Sequence, residues 1–206
     1  MPLNDVHGAG VETVVASYDF QELTTGNGIL TLYPADLGGN TDAASHAYML
    51  TNQSDYVSNT GFYRRTGAAT WDNSFSITIN RPMTLIGDVT FDIMHGYNGS
   101  ATAQRYYHVA LQKVSDGVIS HICSSAVYMR ILATGNTFFP IAAKASTEAV
   151  KIKEGDILRL YIEGVAIATA GGDIDDVGTD PTNRASLTAS LTLSNSRVYV
   201  PVRLPL

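Results

Sequence analysis

The chain has 206 residues, 45% of them hydrophobic and only 16% charged, with a formal net charge of −6. That length supports one sizeable core. The acidic excess is spread out and Arg64-Arg65 is the only adjacent basic pair, which excludes nucleic acid as the main ligand, since phosphate binding needs a clustered positive footprint.

Polarity comes from Thr, Ser, Asn and Gly, with 21 Thr against 4 Lys. Thr suits a pleated, half-buried surface, while Gly and Asn suit turns, so the composition leans towards β. Cys123 is the single cysteine, which excludes an intrachain disulfide and any multi-cysteine metal cluster. No stretch is long and apolar enough to span a bilayer. The opening M-P-L-N-D-V-H-G-A-G lacks the basic and apolar regions of a secretory signal, so synthesis in a host cytoplasm is expected.

In chain order, residues 1–12 read as an N-terminal arm. The runs T-V-V-A-S-Y-D-F-Q-E-L and G-I-L-T-L-Y-P read as strands separated by a tight turn at Asn27-Gly28. Residues 35–70 read as a long irregular excursion, with a helical turn or two over Asp42 to Leu50. S-F-S-I-T-I-N then alternates, with Phe75, Ile77 and Ile79 on one face, and Pro82 ends that strand. M-T-L-I-G-D-V-T-F-D-I-M-H reads as one bent strand or two, hinged near Gly87-Asp88, with a turn at Asn98-Gly99. Q-R-Y-Y-H-V-A-L-Q-K-V and V-I-S-H-I-C-S-S flank a short hairpin loop at Ser115-Asp116-Gly117. F-F-P-I-A-A-K-A-S supplies a further strand. In V-K-I-K-E-G-D-I-L-R-L-Y-I-E-G a charged glycine corner joins two strands, the second burying Leu158, Leu160 and Ile162. G-G-D-I-D-D-V-G-T-D-P-T-N reads as a loop, and S-L-T-L-S-N-S-R-V-Y-V-P-V-R-L as the closing strand. The total is nine or ten short strands, no amphipathic helix of three turns, and turns about every 8 to 12 residues, the spacing of a sandwich or barrel. The expected architecture is all-β: a single domain over 1–206, built as a two-sheet antiparallel β-sandwich.

Several residues could carry chemistry. Asp173, Asp175, Asp176 and Asp180 offer oxygens to a hard cation such as calcium. They miss the helix-loop-helix calcium pattern, because Val177 stands at its fifth position and Arg184 where the bidentate Glu belongs. A solvated acidic turn is the plainer reading. His121 and Cys123, two residues apart on one strand face, could pair as base and thiol, but the setting reads as strand interior. His7, His46, His95 and His108 are scattered, without the spacing of a zinc site. Asp72, Asp88, Asp92 or the few Glu residues could be assembled into an acid pair for sugar hydrolysis, though nothing selects two of them. No nucleophile elbow, phosphate loop or dinucleotide fingerprint appears. Trp71, Tyr48, Tyr56, Phe62 and Tyr63 could stack on sugars, and Tyr106-Tyr107 must present one ring to each face of a strand. No catalytic, cofactor-binding or metal-ligating residue is therefore assigned, and the corner at Gly155-Asp156 is read as scaffold.

T-L-I-G-D-V-T-F-D-I, H-V-A-L-Q-K-V-S-D-G-V-I, V-K-I-K-E-G-D-I-L-R-L-Y-I and S-R-V-Y-V-P-V-R-L together resemble the jelly roll of tumour necrosis factor and complement globular heads, over residues 71 to 205. The resemblance implies a two-sheet jelly roll that assembles as a homo-oligomer, a trimer above all, with no catalytic residues to carry over. Similar jelly rolls recur in virus particles. The resulting expectation is a virion structural protein, not an enzyme: a capsid decoration, minor capsid or capsid subunit located in the virion and contacting other virion proteins. The alternative is a carbohydrate- or receptor-binding module such as a fibre head, with a glycan as partner.

Overall fold

Alternating side chains dictate the elements of this protein. In T-W-D-N-S-F-S-I-T every second residue from Trp71 to Ile77 except Asn73 is apolar, so an extended chain places Trp71, Phe75 and Ile77 on one face, where all three are buried. The computed structural model describes residues 27–36, 48–58, 61–67, 70–99, 104–130, 135–168, 174–182 and 195–204. Eleven strands form among them: β1 Asn27–Asp36, β2 Tyr48–Thr51, β3 Phe62–Thr66, β4 Thr70–Thr78, β5 Met83–Gly99, β6 Gln104–Ser115, β7 Val118–Arg130, β8 Gly135–Ile152, β9 Ile157–Ala168, β10 Ile174–Gly178 and β11 Arg197–Arg203. Among the described residues there is no helix, and hence none long and apolar enough to cross a membrane.

All eleven belong to one sheet, in the order β3-β10-β5-β11-β1-β2-β4-β9-β6-β7, with β8 paired to β5 off this path. Every pairing is antiparallel except the short parallel contact of β2 with β4, where Met49 faces Ser76. The all-β expectation holds. The two separate sheets of nine or ten strands are corrected to one continuous sheet of eleven, because β1 belongs to both halves. Its residues 27–32 pair with β11 and its residues 33–36 with β2. Leu30, Val89, Phe91 and Val198 from one half share a buried cluster with Phe75, Val109, Leu111 and Leu160 from the other.

Three turn assignments need correction. Asn27 and Gly28 are not a hairpin turn but the first residues of β1, facing Arg203 and Val202. Asn98 and Gly99 continue β5 against Asn136 and Gly135. The acidic run after Gly172 is not a loop: Ile174–Gly178 is a strand lodged between β3 and β5. Two other signals are fulfilled. Asp116 and Gly117, with φ of 51° and 78°, make the two-residue turn joining β6 to β7. Gly87, at φ 106°, marks the bend in β5, where the register against β8 shifts between Leu85 and Gly87. Within the span 35–70 lie β2 and β3, and Tyr48 to Leu50 are strand where a helical turn was expected. Residues 1–12 and 42–47 lie outside the described residues.

The corner at 153–156 does more than turn the chain. β8 pairs with β5 and β9 with β4 and β6, so the corner carries the chain from one half of the sheet to the other. Gly155, at φ 85°, supplies the left-handed residue. The corner is tied to Ile79, whose N–H donates to the Asp156 carbonyl at 2.8 Å while its own carbonyl accepts from Gly155 N–H at 2.8 Å. The Asp156 carboxylate accepts from Lys153 N–H at 2.7 Å and pairs with Lys113 Nζ at 3.0 Å. Burial pushes its pKa up, but the Ser115 hydroxyl, the Lys153 amide and the Lys113 ammonium outweigh that and hold it at about 2. A depressed carboxylate adds stability that is complete above its unfolded value of about 4 and fades as pH falls through the folded value. Asp156→Asn is therefore expected to lower stability at neutral pH and to flatten the loss between pH 4 and pH 2. Urea midpoints across that window check it, and an unchanged slope would refute the role given to Asp156.

Candidate functional site

The inward face of β5 carries Val89, Phe91, Ile93, His95 and Tyr97, so the strand's apolar phase contains an imidazole. The inward face of β6 likewise carries Arg105, Tyr107, Val109 and Leu111, and its apolar phase begins with a guanidinium. On β10, Asp175 faces Tyr97 and shares its inward side, while Asp176 faces Gly96 and Arg64 on the other side. Polar groups on the inward sides of three strands thus converge. Such groups are tolerated in a core only when they satisfy one another.

Here the four pair with one another: Tyr107 OH lies 3.1 Å from His95 Nε2 and 3.3 Å from Asp175 Oδ1, His95 Nε2 lies 3.2 Å from Asp175 Oδ1, and Arg105 Nη2 lies 3.5 Å from Asp175 Oδ2. The Nε2 of His95 faces two oxygens, and the Tyr107 hydroxyl has a carboxylate to donate to. This geometry lets the Tyr107 hydroxyl donate to the Asp175 carboxylate. None of the four residues is more than 3% exposed. Burial alone would raise the Asp175 pKa, but His95, Arg105 and Tyr107 outweigh it and leave the carboxyl below its ordinary value. Burial drives the Tyr107 phenol well above its ordinary range, and the Asp175 charge adds to this. The Arg105 guanidinium also sits over the Tyr97 ring at 5.3 Å.

An aromatic wall closes the cluster. Trp71 lies nearly parallel to His95, 8° apart with centroids at 6.5 Å, and packs against Tyr63 and Tyr107. Its indole covers Gly164, the residue opposite it on β9: a Cβ there would stand 2.4 Å from Trp71 Cε2. Outside the wall, Asp176 takes a two-pronged bond from Arg64 at 2.7 and 2.8 Å. Burial raises the Asp176 carboxyl, with Arg64 pulling against it. The arrangement can share protons and charge among fixed partners. With every member sealed from solvent, it presents no atom to a substrate and ties β5, β6 and β10 together.

The residues singled out from sequence are therefore dispersed. Asp175 serves the buried cluster, Asp176 serves Arg64, and Asp180 accepts from Thr182 N–H and Oγ1 at 3.2 and 2.6 Å; Asp173 lies outside the described residues. The acids do not form the solvated turn expected of them, and no group of three metal-ligating side chains occurs among the described residues. His121 and Cys123 do not share a face. A bulge leaves Ile122 without a partner in the ladder, so His121 is exposed and Cys123 buried, its thiol pushed up to about 11 by desolvation. His108 lies 3.7 Å from Glu163, and His7 and His46 lie outside the described residues. Asp88 pairs with Lys144 at 2.6 Å and accepts from Ser146, Asp72 is exposed, and Asp92 faces Arg197. Trp71 and Tyr63 are core residues, whereas Tyr48, Tyr56 and Phe62 are half-buried. Sequence reasoning missed Arg105, Tyr107 as a hydrogen-bonding group, and Gly164.

No family model matches the sequence, and no curated protein matches it. The fold does have relatives among solved structures. An α-amino acid ester hydrolase superposes with a TM-score of 0.57 at 10% identity, over 84% of this chain and 36% of the hydrolase. A CocE/NonD family hydrolase from Staphylococcus aureus gives 0.52 at 8% identity, over 83% and 36%. An aminopeptidase from a marine sediment Thaumarchaeota archaeon gives 0.50 at 6%, over 84% and 37%. At such identities the likeness is one of fold, and the chain spans little more than a third of each hydrolase. Infectious bursal disease virus structures superpose with a TM-score of only 0.26, which carries no fold assignment. The expectations of a virion structural protein and of a protein that is not an enzyme are thus corrected. They rested on the company kept by jelly rolls, and the three solved structures named above, which superpose at TM-scores of 0.50 to 0.57, are hydrolases.

Proposed function

We propose that the chain is a β-module of a hydrolase-type protein, holding a rigid scaffold beside a site that cleaves esters or amides. The observation that carries this reading is the superposition of 83% to 84% of the chain on 36% to 37% of three hydrolases. Its rigidity follows from the buried cluster. Five strands separate β5 from β6 in the ladder, yet Tyr107 reaches His95 at 3.1 Å, so the sheet folds back into two facing layers clamped at this point. Fold alone does not dictate activity, and the reading stands on a measurable property.

The test is hydrolysis of p-nitrophenyl esters and aminoacyl p-nitroanilides by the full chain, purified from its own host with whatever accompanies it. Hydrolytic activity is expected to follow the chain through gel filtration. Activity that separates from the chain, or none on either substrate series, would overturn the proposal.

A further inference from the structure

A cleft of about 610 Å³ opens between the start of β5, the end of β8 and the end of β11, and its lining includes none of the four residues of the buried cluster. Its apolar lining includes Pro82, Met83, Ile86 and Leu204, and its charged lining consists of Lys151, Lys153 and Arg203. Among the described residues no carboxylate lines it. The register explains the cations: Lys151 on β8 and Arg203 on β11 both face Thr84 on β5 and therefore project from the same side. Neighbouring strands are 4.7–4.9 Å apart, so the backbone positions of Lys151 and Arg203 stand about 10 Å from each other across the threonine.

The neighbouring charges sharpen this. Lys113 is engaged by Asp156 at 3.0 Å and by the Lys151 carbonyl at 3.0 Å. Lys151, Lys153 and Arg203 make no ion pair with any described residue, although the chain as a whole is acidic. Ile86, 45% exposed, extends the apolar floor into solvent. Three unneutralised cations around an apolar cleft of ligand size fit a molecule with an anionic head and an aliphatic tail.

We infer that this cleft binds an aliphatic carboxylate, its head held between Lys151 and Arg203 near Lys153 and its tail laid on Met83, Ile86 and Leu204. The inference is independent of the hydrolase reading. The experiment is calorimetric titration of the full chain with decanoate, decyltrimethylammonium and acetate, each below its aggregation concentration. Decanoate is expected to bind saturably at one per chain, more weakly as salt is added, while acetate and the cationic surfactant do not. In K151E/R203E, with folding checked by circular dichroism, decanoate affinity is expected to fall roughly tenfold or more. Equal binding of the cationic surfactant, no saturable binding of decanoate, or an unchanged affinity in the folded double variant would each overturn the assignment. The first two need no variant.

Discussion

Gly164→Val is expected to lower the unfolding free energy by about 3 kcal/mol, at the upper end of the cost of overpacking a filled core. The reason is local. Gly164 sits between Trp71 on β4 and Tyr107 on β6, and the indole lies flat where a side chain would begin. A Cβ at 2.4, 2.5 and 2.6 Å from three indole atoms cannot be absorbed by rotating a flexible tip, since the indole is rigid and 3% exposed. Moving Trp71 would disturb its stacking on His95 and the wall over the buried cluster. For a domain of this size the thermal midpoint should fall by roughly 10 °C. Gly164→Ala should show the same effect in smaller measure. In a Trp71→Leu background, where the space is vacated, it should cost clearly less, a coupling that a double-mutant cycle reads directly. A Gly164→Val protein with the native midpoint would mean that the indole does not occupy this place.

The elements most legible from sequence were those whose side chains alternate cleanly. Phe75, Ile77 and Ile79, and again Leu158, Leu160 and Ile162, announce their faces because burial of one side is the force that sets a strand's register. The Asp116-Gly117 turn was legible because two positive φ values demand those residue types. The acidic strand was not. I-D-D-V-G has no apolar phase, and Asp is depleted in strands, so local propensity points to a loop. Its extension is imposed by neighbours on both sides, with Arg64 and the His95–Tyr107–Arg105 group each taking one carboxylate. A signal did exist: His95 and Arg105 stand on the apolar phases of their strands, and an ionisable group in such a place requires a buried partner of suitable chemistry. Sequence alone does not say which acid answers. Nor does local patterning reveal that β1 serves both halves of the sheet, since that depends on which strands flank its two ends.

Asp175→Asn is expected to cost 3–5 kcal/mol at neutral pH, about what is lost when one partner of a buried ion pair is removed. The substitution preserves shape, so no cavity contributes. What it removes is the negative charge facing the Arg105 guanidinium at 3.5 Å, in a region where that guanidinium is 1% exposed. It also replaces the carboxylate oxygen that receives the Tyr107 proton and faces His95. The pH dependence separates charge from shape. The folded pKa of Asp175 lies below its ordinary value, so its contribution is complete above about pH 4 and is lost as pH falls through the folded value. The variant should lack that component, and its stability curve should approach the native one towards low pH. Arg105→Met combined with Asp175→Asn should recover part of the loss, because a buried charge pair replaced on both sides leaves no unmatched charge. A loss below about 1 kcal/mol in Asp175→Asn alone would put Asp175 within the range of a surface pair and remove the charge clamp from the account of this core.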